Sequence, residues 1–382
     1  MLSKSKTILV IGMFDSVHFY RWLEQFKNQD IHIRILPSKP FRNVHENLRS
    51  LISENRNFSF ACNFYRYKFC GYIDFFLSKI LFRSSYRIRL LNAVLRSQNF
   101  YRIHALEIQG AGYLCLDWST KYKSKFLNNL IITNWGSDIY FFMHNSKHLD
   151  KIKRVLSIAS FYSAECIRDY DLAVKFGYKG EFLDCNPNSG GVQFENSRLI
   201  TPASERNLIL IKGYGGLFGE AKLAVSAISS ILEEFPKLKI FYYSVTKDIA
   251  PLIVSQKKIF KDSIDYSAVD SRIPYDEMLD KFRNAKVYIG ISKSDGISTS
   301  FIEALCAGAY PIQSNTSCAN EWVNKGIRCT LVDLSVDQIK NAILAILENP
   351  DLLDSSVLNN LEISKEHLNY EKVLTSSLKF YE

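Results

Sequence analysis

The sequence predicts an α/β protein built from two doubly wound, parallel-sheet domains. Three observations predict it. Short apolar, β-rich runs alternate with helical stretches from end to end. The alternation stops once, at the turn-rich Asn186-Pro-Asn-Ser-Gly-Gly191 and the polar stretch 195–206, and restarts at Leu208. The 382 residues are 47% apolar and 23% charged, which suffices for two buried cores and excludes a disordered chain. A strand-then-helix rhythm is what parallel strands joined by crossover helices require.

The elements follow in order. First-half strands are expected at 7–11, 31–36, 102–106, 130–134 and 182–186. Second-half strands are expected at 208–212, 239–243, 287–291, 310–313 and 328–332. The apolar run 7–14 is too short for a secretion signal and ends in no small-residue cleavage site, so it reads as the first strand of an intracellular protein. A helix follows from about Phe19. The stretch 357–380 has helical spacing without Gly or Pro and reads as a closing helix. The expected division is a first domain over 1–186, a connector over 187–206, a second domain over 207–355 and the closing helix over 356–382. The most apolar window, 72–82, carries Asp74 and Lys79 and is too short to span a membrane. Eight cysteines form no CxxC and no zinc-ligand spacing, so they read as reduced thiols.

The net charge is +9, and its excess is concentrated. Residues 56–102 hold nine Lys or Arg against one acid, Asp74, with aromatic rings interleaved from Phe58 to Tyr101. Cations and rings together suit an anionic membrane surface. They would also suit a nucleic acid, but no nucleic-acid motif accompanies them. The third reading is an amphipathic helical pair with a solvated basic face.

The most informative stretch is 292–312, Ser-Lys-Ser-Asp-Gly-Ile-Ser-Thr-Ser-Phe-Ile-Glu-Ala-Leu-Cys-Ala-Gly-Ala-Tyr-Pro-Ile. It follows an apolar strand. A polar turn, a helix starting near Ser298 or Thr299, a stop at Gly308 and a return strand are expected. The amides of Gly296, Ile297, Ser298 and Thr299 would then form a nest at a positive helix end, which suits a diphosphate. Asp295 lies in the turn, and Glu303 in the second helical turn suits the paired hydroxyls of a ribose. The other reading is a capped core helix with two incidental acids.

This stretch resembles the retaining glycosyltransferases of family 4, which have the GT-B fold. The resemblance rests on Asp295, seven residues, Glu303-Ala304, Gly308 and Pro311-Ile312, and on the downstream Glu321-Trp-Val-Asn-Lys-Gly326. It extends to Lys212-Gly-Tyr-Gly215. In the first half, Trp135-Gly-Ser-Asp138 and Ser163-Ala-Glu-Cys-Ile-Arg-Asp169 look like stretches of members that build bacterial surface polysaccharides such as O-antigen or capsule.

The resemblance implies two Rossmann-like domains facing across a cleft, with a closing helix that packs back on the first. It implies transfer of a hexose from a UDP- or GDP-sugar to a hydroxyl, with retained configuration and with neither metal nor cofactor. Lys212 and the loop at Gly213, Tyr214 and Gly215 would meet the leaving diphosphate, and Asp295 the donor sugar. Two departures stand out. Asp295 replaces the Glu usual in the wider family, and Glu220 lies where a second cation is expected, with Lys222 the nearest substitute. Asp169 and Asp171 are spaced like a metal pair but fall in a first-domain helix and read as solvated.

The acceptor belongs on the first domain. Asp15, Ser16 and His18 follow its first strand, and His18 can take up a hydroxyl proton. The next loops offer His104, Glu107 and Gln109, and then Asp138. Each has a structural reading beside it: a helix cap at Ser16, a core side chain at His104, a turn residue at Asp138. A polyprenyl-linked saccharide acceptor would place the protein in the cytoplasm, peripheral to the inner membrane face. The rival readings are a sugar-nucleotide epimerase and a non-catalytic nucleotide-sugar-binding partner of an assembly complex.

Overall fold

A computed structural model describes residues 6–78, 85–126, 128–194, 201–271 and 273–382. The chain divides into two units, Met1–Gly191 with Glu371–Glu382, and Val192–Tyr370.

The first unit holds seven strands: β1 Thr7–Gly12, β2 His32–Pro37, β3 Phe58–Phe60, β4 Arg102–Leu106, β5 Leu130–Thr133, β6 Phe161–Ala164 and β7 Glu181–Cys185. They pair in the order 3-2-1-4-5-6-7, every pair parallel. Helices cover both faces, so Ile8, Leu9, Val10 and Ile11 are all fully buried. That is why β1 reads as an unbroken apolar run rather than an alternation.

The second unit holds β8 Leu208–Lys212, β9 Lys239–Val245, β10 Ile264–Ala268, β11 Ala285–Gly290, β12 Tyr310–Ser314 and β13 Thr330–Val332. Their order is 10-9-8-11-12-13, again all parallel. Its core sets Ile209, Ile211, Val287 and Ile289 against Val225, Ile228, Ile339 and Ile343 of two helices. Both units are therefore α/β and doubly wound, as expected. Three strands go unforeseen. β3 has three residues, and the outermost β10 is only partly buried; neither carries a long apolar run. β6 contributes four residues, Phe161-Tyr-Ser-Ala164, without a β-branched residue.

The basic-aromatic segment is not a simple helical pair. It contains β3, a tight turn at Asn63–Arg66, and helices Cys70–Phe76 and Ser85–Ser97. Its one acid, Asp74, is fully buried, bonded to Arg87 and to the Tyr65 hydroxyl at 3.0 Å. Arg87 is buried too and donates to the Pro37 carbonyl at 3.0 Å. The cations therefore split into an interior anchor and an outer group that includes the exposed Arg66 and Lys68.

The expected closing helix over 356–382 is two helices. Pro350–His367 stays with the second unit, whereas Tyr370–Leu378 leads into residues that pack on the first. Tyr381 donates or accepts at the His104 Nδ1, 2.8 Å away, and accepts from the Trp22 Nε1 at 3.3 Å. The two chain crossings are tied together where Val192 N donates to Leu368 O at 2.8 Å and Tyr370 N to Val192 O at 3.0 Å.

Candidate functional site

In an open parallel sheet, ligands gather beyond the carboxyl ends of the strands where the strand order reverses. In the second unit that point lies between β8 and β11. From β11 the chain runs through a loop into the helix Thr299–Ala307. Ser298 stands as its N-cap with non-helical backbone at φ −58° and ψ 125°, and Gly308 ends it in the left-handed region at φ 78°. Phe301, Ile302 and Leu305 bury one face. Asp295 and Glu303 are both half-buried and so reach solvent. Two exchanges stiffen the loop: Ser292 N donates to the Ser314 hydroxyl at 3.0 Å, and Cys318 N donates to Gly296 O at 3.0 Å.

The proposed nest is narrower than the sequence suggests. The Gly296 amide donates to the Asp295 Oδ1 at 2.9 Å, so the loop consumes it. Ile297, Ser298 and Thr299 stand at the start of the helix, where the first amides have no intrahelical acceptor.

Beneath this helix start lies a polar cluster that sequence reasoning missed. The hydroxyls of Tyr243, Tyr288 and Ser298 and the Gln313 Oε1 are buried together, and the Tyr288 hydroxyl pairs with those of Tyr243 and Ser298. Gly290 makes room for them: a Cβ there would stand 2.3 Å from the Tyr288 hydroxyl and 2.6 Å from the Gln313 oxygen. The parallel register that pairs Gly290 with Gln313 assembles the cluster, and register is not legible in one strand alone.

The glycine loop after β8 also differs from expectation. Lys212 ends the strand half-buried, its Nζ 5.9 Å from the exposed Tyr214 ring. The Gly213 amide donates to Tyr243 O at 2.8 Å, and the Gly215 amide donates to the Thr246 hydroxyl at 2.9 Å. These two amides are therefore withdrawn from a diphosphate role, because the end of β9 claims them. Gly216 N donates to the Asp248 carboxylate at 3.0 Å. Glu220, which was expected to displace a cation, instead gathers two: Lys293 Nζ at 2.8 Å and Lys222 Nζ at 3.1 Å. Burial pushes its carboxyl up, but those two ammonium groups hold it below the usual carboxylate range.

In the first unit the reversal falls between β1 and β4. Asp15 is exposed there, and His18 is half-buried, edge-on to Trp135 at 6.1 Å between centroids. Ser16 caps the helix Val17–Glu24 by accepting from His18 N at 3.2 Å, so its oxygen serves the backbone. His104 is corrected from an acceptor ligand to a core residue. It is fully buried, bonded to Tyr381 and, at 2.6 Å, to the Thr133 hydroxyl, and burial lowers its pKa to about 3.

Glu107 is corrected likewise. Buried at φ 88°, it accepts from the Ser38 hydroxyl at 2.9 Å and from the amides of Gly110 and Ala111 at 3.1 and 3.2 Å. It organises its own loop. Asp138 is buried and accepts from Ile108 N at 2.8 Å and Trp135 N at 3.1 Å, while Gln109 donates to the Asp138 carbonyl at 2.7 Å. Asp169, expected in solvent, is fully buried between Arg168 at 2.9 Å and Asn134 at 2.7 Å. Asp171 is exposed.

No family model and no curated protein sequence matches the chain. Solved structures do. A sucrose-phosphate synthase from Thermosynechococcus elongatus is 13% identical, with TM-score 0.70 over 97% of this chain and 96% of that one. HepE of Anabaena in complex with UDP-glucose is 9% identical, with TM-score 0.66 over 97% and 98%. A glycosyltransferase from Rickettsia africae is 14% identical, with TM-score 0.66 over 99% and 98%. The architecture reached strand by strand above is thus the GT-B fold, and these neighbours, which share it along nearly their whole length, are glycosyltransferases.

Proposed function

We propose that the chain is a glycosyltransferase that moves a hexose from a nucleotide diphosphate sugar to a hydroxyl of a saccharide acceptor, with retained configuration. The observation that carries this reading is the helix start at the β8/β11 reversal, with Asp295 just before it and the solvent-reaching Glu303 one turn inside it. The leaving diphosphate gains negative charge as the glycosidic bond breaks. Fixed positive groups at that oxygen therefore stabilise the transition state more than the ground state. The amides at Ile297, Ser298 and Thr299 and the Lys212 ammonium supply such groups. Glu303 would take the ribose hydroxyls and Asp295 the hydroxyls of the donor sugar. In the first unit, His18 and Asp15 would meet the acceptor, with His18 taking the proton of its hydroxyl.

The bound UDP-glucose and UDP in HepE make uridine nucleotides the first donors to try. A thermal-shift panel of UDP-, GDP- and ADP-sugars should single out one base, since a ligand of the folded state raises its stability. Slow donor hydrolysis that Glu303→Gln reduces at least tenfold supports the transferase. Binding without turnover in membrane extract points to a non-catalytic partner, and an epimerised donor to an epimerase.

An anionic membrane surface is part of the same proposal. Among the described residues no helix is long and apolar enough to cross a membrane. Around the helix Cys70–Phe76, however, Tyr67, Phe69, Tyr72 and Phe76 are 70, 72, 58 and 48% exposed. Arg66 and Lys68 are exposed beside them, while Asp74, the one acid of 56–102, is buried. Rings at the headgroup level and cations toward anionic lipid fit this surface. This surface supports a lipid-linked acceptor and a peripheral position at the inner membrane face. The chain should sediment with phosphatidylglycerol vesicles and not with phosphatidylcholine vesicles. The double change Arg66→Glu, Lys68→Glu should weaken sedimentation at least tenfold; unchanged binding would refute the docking.

A further inference from the structure

We propose that Lys293 of the loop after β11, with Lys222 of the helix after β8 beside it, supplies the second cation that grips the diphosphate of the donor. The inference rests on the donor-site reading above and deepens it.

The loop after β8 and the loop after β11 are zipped together. Glu220 N donates to Ile291 O at 3.0 Å, Lys293 N donates to Phe218 O at 2.6 Å, and Gly219 bridges Ser292. This fixes the Lys293 backbone beside the glycine loop, two residues before Asp295. Glu220 then steers both ammonium groups to one place. Its side chain is 8% exposed, and those of Lys293 and Lys222 are 43 and 59% exposed. Each ammonium carries three donors, so pairing with one carboxylate leaves most of them for a second anion. Two cations against one carboxylate leave a surplus positive charge.

That surplus lies at the strand-order reversal, in the loop that leads into the 299–307 helix. Holding long lysine side chains in place before binding reduces the entropy a ligand must offset. Glu220 is thus an orienting group where the sequence alone suggests a repulsive one.

Titration calorimetry with UDP, UMP and uridine, and with GDP and ADP as alternatives, tests this. Lys293→Ala should bind the nucleoside diphosphate roughly tenfold more weakly, the size of one charge-assisted hydrogen bond, and the nucleoside unchanged. Lys293→Arg should restore most of the loss, and 0.5 M salt should erase the difference between wild type and Lys293→Ala. Adding Lys222→Ala should weaken the diphosphate further. Diphosphate affinity within twofold of wild type, or nucleoside affinity falling in step, overturns the inference while leaving the donor site standing. If the wild-type chain binds none of the nucleotides, the donor-site reading itself fails. Thermal melts of each variant establish that it is folded, and Lys293→Gln replaces the alanine variant if that one is not.

Discussion

Asp138 carries two backbone N–H groups on a single carboxylate oxygen and lies near the buried Glu107. Burial, and then the Glu107 charge, push its pKa up to about 7. In the unfolded chain the same group titrates near 4. Between these values the folded state binds the extra proton, so stability falls as pH rises from about 4 to about 7 and then levels off. Asp138→Asn keeps an oxygen for both N–H groups and removes the ionisation. Its stability relative to wild type should therefore grow between pH 5 and 7, by about 2 kcal/mol. Urea unfolding of both proteins at the two pH values checks this; a constant difference would refute the assignment. The residue stood out in the sequence as a polar group after a strand. Whether such a group faces ligand or backbone is decided by neighbours far along the chain, here Ile108, and no spacing rule reports that.

The stop at Gly308 and the start at Ser298 were both legible, because capping chemistry acts within a few residues. The helix Ser85–Ser97 is a different case. Its Arg87 looks like one more surface cation, yet it bonds Asp74, the Ser78 hydroxyl at 3.3 Å and the Pro37 carbonyl. This pair ties the Cys70–Phe76 helix and the end of β2 to the Ser85–Ser97 helix. Charge reversal at Arg87 would therefore report unfolding, not membrane release; Arg83, in the same run, lies outside the described residues. Arg87→Ala leaves the Asp74 carboxylate buried without its cation and should cost about 3–5 kcal/mol. Chemical denaturation measures it, and a loss below about 1 kcal/mol would mean that water reaches Asp74.

At the scale of the molecule, the last dozen residues belong to the unit that begins the chain. Phe380 stands 5.5 Å from the Trp22 ring, and Tyr381 lies 5.2 Å from that of Phe26 and bonds His104. Tyr381→Ala should cost about 3–5 kcal/mol, as large aromatic truncations do in cores. In calorimetry the melting of the first unit should fall by roughly 10 °C while that of the second stays in place. A shift confined to the second unit would contradict the tail's assignment. By itself the sequence determined the α/β class, the restart of the rhythm after the turn-rich stretch, and the position of the 299–307 helix with its acids. Those signals are apolar period and local capping, which a chain carries within a few turns. Only tertiary structure decided that His104 and Glu107 are interior, that the amides of Gly213 and Gly215 are already bonded, and that Lys293 meets Glu220 from the loop after a neighbouring strand. Each of those depends on which strands lie side by side, and contacts of that range are set by packing across the sheet, not by spacing along the chain.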